Sequence, residues 1–247
     1  MIELNQMAVV LGLIAAGLIP ISASAAAPFG QNLIANGDAE ADVGSQTGDV
    51  IGPVTGFTTT GNFTVVAYSA GGGFPLATDP GPVNGGLNFF AGGPNIELST
   101  ASQSIDVGAG GSAIDGGNVT FALSAFLGGF DGQGDNAVLS LSFLNAASMT
   151  LGSASVGPVT EADRGGATGT LFRQETGLIP IGTRTIDVTL TMTRLAGAYD
   201  DGYADNLSLV LSPVPEPSSA LILLIGGGLV AWIYRVRRKA KVLRFGV

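Results

Sequence analysis

The stretch Ile186–Thr193, IDVTLTMT, alternates at every position between an apolar residue and a polar one. Its even-numbered positions carry Ile, Val, Leu and Met, and its odd-numbered positions carry Asp and Thr. Successive side chains of a β-strand point to opposite faces of the sheet, so this period of two predicts a strand with one buried and one solvent-facing side. Strands of this kind are typical of antiparallel sheets that cover a core on one face only.

The same alternation recurs elsewhere in the chain. It is clearest in Val119–Leu127, Ala137–Phe143 and Leu207–Leu211, and shorter β-branched or aromatic runs lie at Phe57–Tyr68, Leu87–Ala91 and Ile96–Val107. Glycine clusters and Asp-Gly pairs, which favour turns, separate these runs. No helical period persists for more than about two turns between Pro28 and Pro213. We therefore predict an all-β domain of about eight to ten strands, folded as an antiparallel β-sandwich of the jelly-roll kind.

The composition excludes several classes of protein. The chain has no cysteine and no histidine, so disulfides, thiolate metal sites and catalysis by a histidine base are all impossible. Residues 28–213 contain 17 Asp and Glu against four Arg, which is a net charge of about −13. Such a surface repels phosphates, so we predict no nucleic-acid partner.

The first residues are typical of a secretory signal peptide. Met7–Ile21 is an apolar run, and Ala23-Ser24-Ala25 fits the small-x-small cleavage rule. We predict a signal helix at residues 1–25, export through the Sec translocon and cleavage after Ala25, with Ala27 as the next choice. Met1–Gln6 contains no Lys or Arg, and an uncleaved membrane anchor is the alternative. The β-sandwich would then occupy residues 26–213.

The last residues, 214–247, have three parts. The motif Val214–Pro217 contains two prolines, which end the preceding domain because proline continues neither a sheet nor a helix. The apolar run Ser218–Tyr234 would extend roughly 25 Å as a helix, which is short but sufficient for a membrane span. In the tail 235–247, basic residues would keep this end cytoplasmic, chiefly Arg235, Arg237, Arg238 and Lys239. A buried helix with a solvated basic tail is the alternative.

These three parts, in this order, resemble the PEP-CTERM sorting signal of Gram-negative bacteria. The resemblance rests on Pro215, Glu216 and Pro217, followed by the short apolar run and the basic tail. It implies export, an intermediate anchored in the inner membrane, and removal of the tail by an exosortase. The destination that it implies is the cell surface or an extracellular polysaccharide matrix.

Two other segments resemble the opening and closing motifs of galactose-binding-like jelly-roll domains, a fold that many carbohydrate-binding modules share. They are Asn32–Glu40 (NLIANGDAE) and Tyr203–Leu209 (YADNLSL). The resemblance implies a structural calcium ion where the first and last strands meet. Carried over by position, its ligands would be Glu40 and Asp205, with Asp38 a possible third. The alternative is that these carboxylates are solvated turn residues.

A glycan-binding surface is the second candidate site. Two loops, 131–136 and 198–203, combine aromatic rings with planar polar groups, which are the side chains that sugar binding needs. The residues that we predict to contact a ligand are Asp135, Asn136, Arg164, Tyr199 and Tyr203, and Phe130 could add a further ring. The alternative is that the aromatic residues are packing anchors beside glycine turns.

Together these features predict an exported surface or matrix protein without catalytic activity, whose jelly roll binds polysaccharide or a surface partner. One alternative is a purely structural surface protein with no ligand of its own. Another is a carbohydrate-active enzyme with paired carboxylates at Asp200 and Asp201 or at Glu161 and Asp163.

Overall fold

The computed structural model describes residues 28–214. The predicted signal peptide, the apolar run Ser218–Tyr234 and the basic tail lie outside these residues. The strands of the described part are β1 (Thr58–Thr60), β2 (Thr64–Ala67), β3 (Asn88–Pro94), β4 (Leu98–Asp106), β5 (Val119–Gly129), β6 (Asn136–Leu144), β7 (Thr150–Val156), β8 (Gly169–Leu178), β9 (Thr185–Thr193) and β10 (Tyr199–Pro213). A 3-10 turn at Gly108–Gly110 leads into the short helix α1 (Gly111–Asp115). Among the described residues, no helix is long and apolar enough to span a membrane.

The strands form two five-stranded sheets that pack face to face. Sheet I has the order β1-β4-β9-β6-β7, and sheet II has the order β2-β3-β10-β5-β8. Every pairing between neighbouring strands in both sheets is antiparallel. The predicted all-β antiparallel sandwich is therefore confirmed.

The main core lies between the sheets, where the apolar members of each alternating strand meet. Leu190 on β9, Leu139 on β6 and Leu209 on β10 are all fully buried there. The rings of Phe121 on β5 and Phe143 on β6 meet across the interface, with 5.3 Å between their centroids. The period of two that is visible in the sequence thus corresponds to one buried face on each sheet.

The two ends of the domain are neighbours in space. Asn32 clamps β10, because its amide nitrogen donates to the Leu207 carbonyl and its amide oxygen accepts from the Leu209 amide, each at 2.9 Å. The Leu207 amide in turn donates to the Gly37 carbonyl at 2.8 Å. A Cβ at Gly37 would lie only 2.2 Å from the Leu207 oxygen, so the close approach requires glycine. The segments that resemble the opening and closing motifs of galactose-binding-like domains therefore lie side by side.

Some strands differ from the sequence pattern. The run Phe57–Tyr68 divides into β1 and β2 because the chain turns at Gly61, whose φ of 65° is in the left-handed region. β7 and β8 were not predicted. Both are sheet edges with largely exposed side chains, so they lack the burial that produces a clear alternation.

Replacing Leu190 by Ala should lower the free energy of unfolding by about 2–5 kcal/mol, because the substitution leaves a cavity at a fully buried position of a central strand. Replacing its neighbour Thr191, which faces away from the core, by Ala should lower the free energy of unfolding by less than about 1 kcal/mol. Urea unfolding of both variants measures the difference. Equal losses would contradict the assignment of the two faces of β9.

Candidate functional site

A second apolar cluster lies on the outer face of sheet II, opposite the main core. Its buried members are Val66, Phe89, Ala91 and Tyr203, and partly buried Tyr68, Ala70, Phe74, Phe130 and Tyr199 pack against them. The cluster exists because β2 and β3 each carry three adjacent apolar residues, so both faces of these strands are apolar. Phe90 points into the main core, whereas Phe89 points outward. An apolar outer face is thus built at one end of the sheet.

Part of this cluster surrounds a pocket of about 300 Å³, which we call the aromatic pocket. Its lining consists of Thr47, Gly72, Gly73, Phe74, Phe130, Tyr199, Asp201 and Tyr203. The ring of Phe74 meets that of Tyr199 edge-on, with centroids 5.2 Å apart. Gly73 lies directly against the Phe130 ring, since a Cβ there would come within 2.8 Å of it. Glycine in the 71–73 turn therefore lets the loop close over the rings.

Asp201 is the charged group of the aromatic pocket. The Tyr203 hydroxyl donates a hydrogen bond of 2.5 Å to its Oδ1 atom, and only 9% of the residue is exposed. Burial raises the pKa of the Asp201 carboxyl to about 6, and the charge of Asp135 adds to this rise, while the Tyr203 hydrogen bond opposes it. The neighbouring Tyr199 is fixed by its hydroxyl, which donates to the Gly48 carbonyl at 2.9 Å, and by the contact of its ring with Phe74.

Asp135 holds the loops that border the pocket. It is fully buried, and its Oδ1 atom accepts from the amides of Leu195 and Ala196 at 2.7 and 2.8 Å. Its Oδ2 atom accepts from the Asp201 amide at 3.0 Å. One carboxylate thus ties the end of β9 and the start of β10 to the loop before β6.

Arg164 has a similar structural part in the same loops. Its guanidinium donates to the carbonyls of Asp131 and Gln133 at 3.0 Å each, and also to the carbonyl of Ala167. The residue is 8% exposed, and burial lowers the pKa of its guanidinium. Its contacts are backbone carbonyls, so it fixes the shape of the 131–133 loop beside Phe130.

The structure brings the predicted ligand-binding residues to one end of the sandwich but gives them different positions. Tyr199 and Tyr203 line the aromatic pocket, whereas Asp135 and Arg164 lie behind it. Asn136 begins β6, and its side chain donates to the Gly134 carbonyl at 3.1 Å. Their part in ligand binding stays a prediction. Sequence reasoning missed Phe74 and Thr47, although an aromatic residue directly after three glycines was a signal for Phe74.

The carboxylate pairs considered for catalysis differ in burial. Asp200 is fully buried, with its Oδ2 atom lacking a hydrogen-bond partner among the described residues. Burial raises the pKa of Asp200 to about 7, with the charges of Asp135 and Asp201 adding to the rise. Glu161 and Asp163 are exposed. Hydrogen bonds from Thr160 hold the pKa of Asp163 below its usual value.

Two of the predicted calcium ligands lie against adjacent glycines, since a Cβ at Gly85 would be 3.1 Å from Asp205 Oδ2 and a Cβ at Gly86 would be 2.5 Å from Glu40 Oε1. Asp205 is fully buried, and its Oδ2 atom accepts from the Tyr68 hydroxyl at 2.8 Å. Burial raises the pKa of Asp205 to about 8, and the charges of Glu40 and Asp38 add to the rise. The Oε1 atom of Glu40 accepts from the amides of Leu87 and Asn88 at 2.7 and 2.8 Å.

This donor set consists of oxygens, which suit calcium. Within residues 28–214, however, no group of three or more carboxylates, histidines or cysteines is arranged to hold a metal ion. Backbone carbonyls or water would therefore have to complete the coordination of an ion at Glu40 and Asp205.

Residues 213–239 match the family described as the PEP-CTERM protein-sorting motif. The chain carries this sorting motif. The match includes Pro215, Glu216 and Pro217 and reaches the basic residues up to Lys239, which confirms the resemblance seen in the sequence. The motif indicates a secreted protein that is anchored in the membrane before processing, and it implies processing by an exosortase.

The chain is similar to several solved structures, each at low sequence identity and with a TM-score below 0.5. A family 16 carbohydrate-binding module is 20% identical, with a TM-score of 0.43, and the match covers 72% of this chain and 99% of that one. The xylan-binding domain CBM22-1 from Paenibacillus barcinonensis is 14% identical, with a TM-score of 0.37, covering 69% and 99% of the two chains. The enzymatically active domain of bacteriophage CBA120 tailspike protein 4 is 15% identical, with a TM-score of 0.43, covering 74% and 21%.

Similarity at this level decides nothing about ligand or activity, and the chain spans only about a fifth of the tailspike protein's length. No curated protein sequence matches the chain. The sorting motif and the geometry of the domain are therefore the features that bear on function.

The raised pKa values of Asp200 and Asp201 predict an unusual pH dependence of stability. The folded state binds these protons more tightly than the unfolded chain, in which a carboxyl has a pKa near 3.8. The free energy of unfolding should therefore fall by up to about 1.4 kcal/mol per pH unit for each group, from about pH 4 to about 6 for Asp201 and from about pH 4 to about 7 for Asp200. Thermal melts across this range measure the effect.

Asp200→Asn should reduce the slope of this dependence, because an amide imitates the protonated carboxyl, and the contribution of Asp201 should remain. The matched control is Asp163→Asn, which changes an exposed carboxyl whose pKa is lowered rather than raised. A wild-type melting temperature that rises toward neutral pH would contradict the prediction. So would an Asp200→Asn variant whose melting temperature changes with pH as steeply as that of the wild type.

Proposed function

We propose that the β-sandwich is a non-catalytic binding module that holds a neutral polysaccharide in the aromatic pocket. The observation that carries the proposal is the combination of partly exposed rings, Phe74, Phe130 and Tyr199, with the carboxylate of Asp201 in one small concavity. A sugar ring has an apolar C–H face that packs on an aromatic ring, and its hydroxyls donate to a carboxylate. The volume of about 300 Å³ lies at the small end of ligand sites and suits a short stretch of a glycan chain.

The charge of the domain supports a neutral ligand. Residues 28–213 carry a net charge of about −13 and contain no lysine, and the pocket itself contains a carboxylate. Anionic polysaccharides would be repelled both at long range and at the site. Neutral glycans are not repelled by this charge, and their hydroxyls can donate hydrogen bonds to the carboxylate in the pocket.

The location that the sorting motif indicates supports the same class of ligand. A secreted protein that is released from its membrane anchor by processing meets polysaccharide at the cell surface or in the extracellular matrix. The proposal includes that destination, together with export through the Sec translocon and cleavage after Ala25. The apolar run Met7–Ile21 and the small residues at 23–25 support these steps.

A binding screen of the processed protein against neutral and anionic polysaccharides tests the proposal. Tyr199→Ala and Asp201→Asn should each weaken binding by about tenfold, because one removes a ring and the other removes the charged acceptor. The matched control is Phe172→Ala. Phe172 is 49% exposed on the same face of sheet II, and its ring packs at a tilt against that of Phe126, outside the aromatic pocket.

Binding of neutral glycans that is lost in both pocket variants and kept in the control is the expected result. Absence of binding in the wild type, or binding that depends on Phe172 instead, would overturn the proposal.

One observation favours the second candidate, a purely structural surface protein. The outer face of sheet I is covered by short polar side chains, among them Thr100, Ser102 and Thr189. The groove of about 730 Å³ that crosses this face has one ring, Phe57, among its described lining residues. A surface of this kind has no platform for a sugar, and it becomes the preferred explanation of the domain if the screen finds no ligand.

Calcium at Glu40 and Asp205 is part of the proposal as a structural ion. What supports it is the burial of Asp205 beside two other negative charges, whose repulsion a divalent cation would relieve. Such an ion would neutralise the carboxylates of Glu40 and Asp205 where the segment after Asn32 meets β10. It would have no part in the aromatic pocket.

If calcium binds here, the melting temperature of the wild type should be higher in calcium than in EDTA. Stabilisation reaches about 2.7 kcal/mol at a concentration about a hundredfold above Kd. Asp205→Asn should remove the difference between the two conditions, whereas Asp187→Asn on the outer face of sheet I should keep it. Identical wild-type melting in calcium and EDTA would show that no stabilising ion binds.

A further inference from the structure

The last strand delivers the chain to a defined end of the sandwich. Pro213 lies opposite Val119 in the pairing of β10 with β5, and the Val214 amide donates to the Asn118 carbonyl at 2.7 Å. Only three residues, 215–217, then precede the apolar run that begins at Ser218. Three extended residues span about 10 Å. Whatever lies at this end of the domain is therefore close to the membrane while the protein is anchored.

Exposed apolar side chains surround this exit point. Leu178 is 62% exposed, Ile181 is 64% exposed and Leu151 is 39% exposed, and we call these three residues the exit patch. Val214 itself is 42% exposed. Single exposed apolar residues are common on protein surfaces, but a group of them around one point is typical of a contact surface.

The strand register and close contacts place two members of the exit patch, Leu178 and Ile181, near Val214. Leu178 lies opposite Thr120, whose hydroxyl donates to the Ser212 carbonyl on β10. A Cβ at Gly117, next to Asn118 in the chain, would lie 3.7 Å from the Cδ1 atom of Ile181.

Leu151 completes the patch on the β7 side. A Cβ at Gly182 would lie 3.7 Å from the Cδ1 atom of Leu151, so this side chain lies against the same turn that carries Ile181. The patch therefore joins β7, the end of β8 and the turn before β9.

One ion pair lies against the turn that carries part of the exit patch. Asp115 accepts from the Gly182 amide at 3.1 Å, so its carboxylate lies against the turn that carries Ile181. It is paired with Arg184 at 2.6 Å, and this pair carries no net charge. An anionic membrane surface would meet a neutral apolar patch here.

We propose that the exit patch lies against the lipid surface while the protein is anchored by its sorting segment. The contact would fix the orientation of the sandwich relative to the membrane, because the chain connection after Val214 attaches it at only one point. β10 begins at Tyr199 in the aromatic pocket and ends at Pro213 beside the patch, a length of roughly 45 Å for its 15 residues. The aromatic pocket would then face away from the membrane. This orientation holds whether or not the pocket binds a glycan.

The chain contains no cysteine, so single cysteines can be introduced for labelling without further changes. The experiment uses the full chain reconstituted into vesicles of phosphatidylethanolamine and phosphatidylglycerol, labelled with bimane at Ile181→Cys. The control is Leu195→Cys, which is 68% exposed and lies beside Asp135 at the opposite end. Vesicles contain lipids with a nitroxide quencher either on the headgroup or on the acyl chain.

Acyl-chain quenchers should reduce the fluorescence at Ile181→Cys several-fold more than at Leu195→Cys. Adding Leu178→Gln should weaken that quenching, whereas Thr176→Gln, an exposed change on the same strand, should leave it unaltered. Quenching by headgroup nitroxides alone would mean that the tether brings the patch near the membrane without contact, and this would overturn the proposal. Equal quenching at both ends, or shielding of Ile181→Cys by a second copy of the chain, would overturn it as well.

Discussion

The pairing of β10 with its neighbours is the constraint on which the rest of the structure depends. This strand lies at the centre of sheet II between β3 and β5, and the first described segment of the chain lies along it through Asn32. A register shift between Asp205 and Ser208, with Asn206 at a φ of 50°, allows both Ala204 and Leu207 to reach the main core. The strand therefore closes the sandwich, lines the aromatic pocket at its start and leads to the sorting motif at its end.

Buried carboxylates are the second organising feature. Asp135, Asp200 and Asp205 are fully buried in a domain that has no lysine and no histidine to pair with them. Asp135 satisfies both of its oxygens with backbone amides, and Asp205 uses the Tyr68 hydroxyl and the Asn206 amide. Backbone amides and hydroxyls thus take the place of cationic partners. Because burial disfavours the charged form of a carboxyl, it raises the pKa values of Asp200, Asp201 and Asp205.

The two ends of the sandwich have different surfaces, and this difference connects structure to location. At one end, loops held by Asp135 and Arg164 surround a small concavity of rings and one carboxylate. At the other end, the chain leaves toward its sorting motif among exposed apolar side chains. If the concavity binds a ligand as proposed, its distance from the exit point would leave it accessible both while the protein is anchored and after processing.

The sequence by itself determined the class of the fold and the presence of the sorting motif. Alternation in stretches such as Ile186–Thr193 predicts strands with one buried face, because strand geometry is local, and the PEP-CTERM resemblance needs only the order of residues near the end. The motifs at Asn32–Glu40 and Tyr203–Leu209 even predicted that the two ends meet.

Only the tertiary structure decided which residues form a site. Phe74 and Tyr199 are separated by more than a hundred residues, and their contact depends on loop closure and strand register that no local pattern records. Likewise, Asp135 and Tyr203 looked like surface ligands in the sequence, but the packing around β10 buries both. Edge strands β7 and β8 escaped prediction for the same reason, because alternation is visible only where a core enforces it.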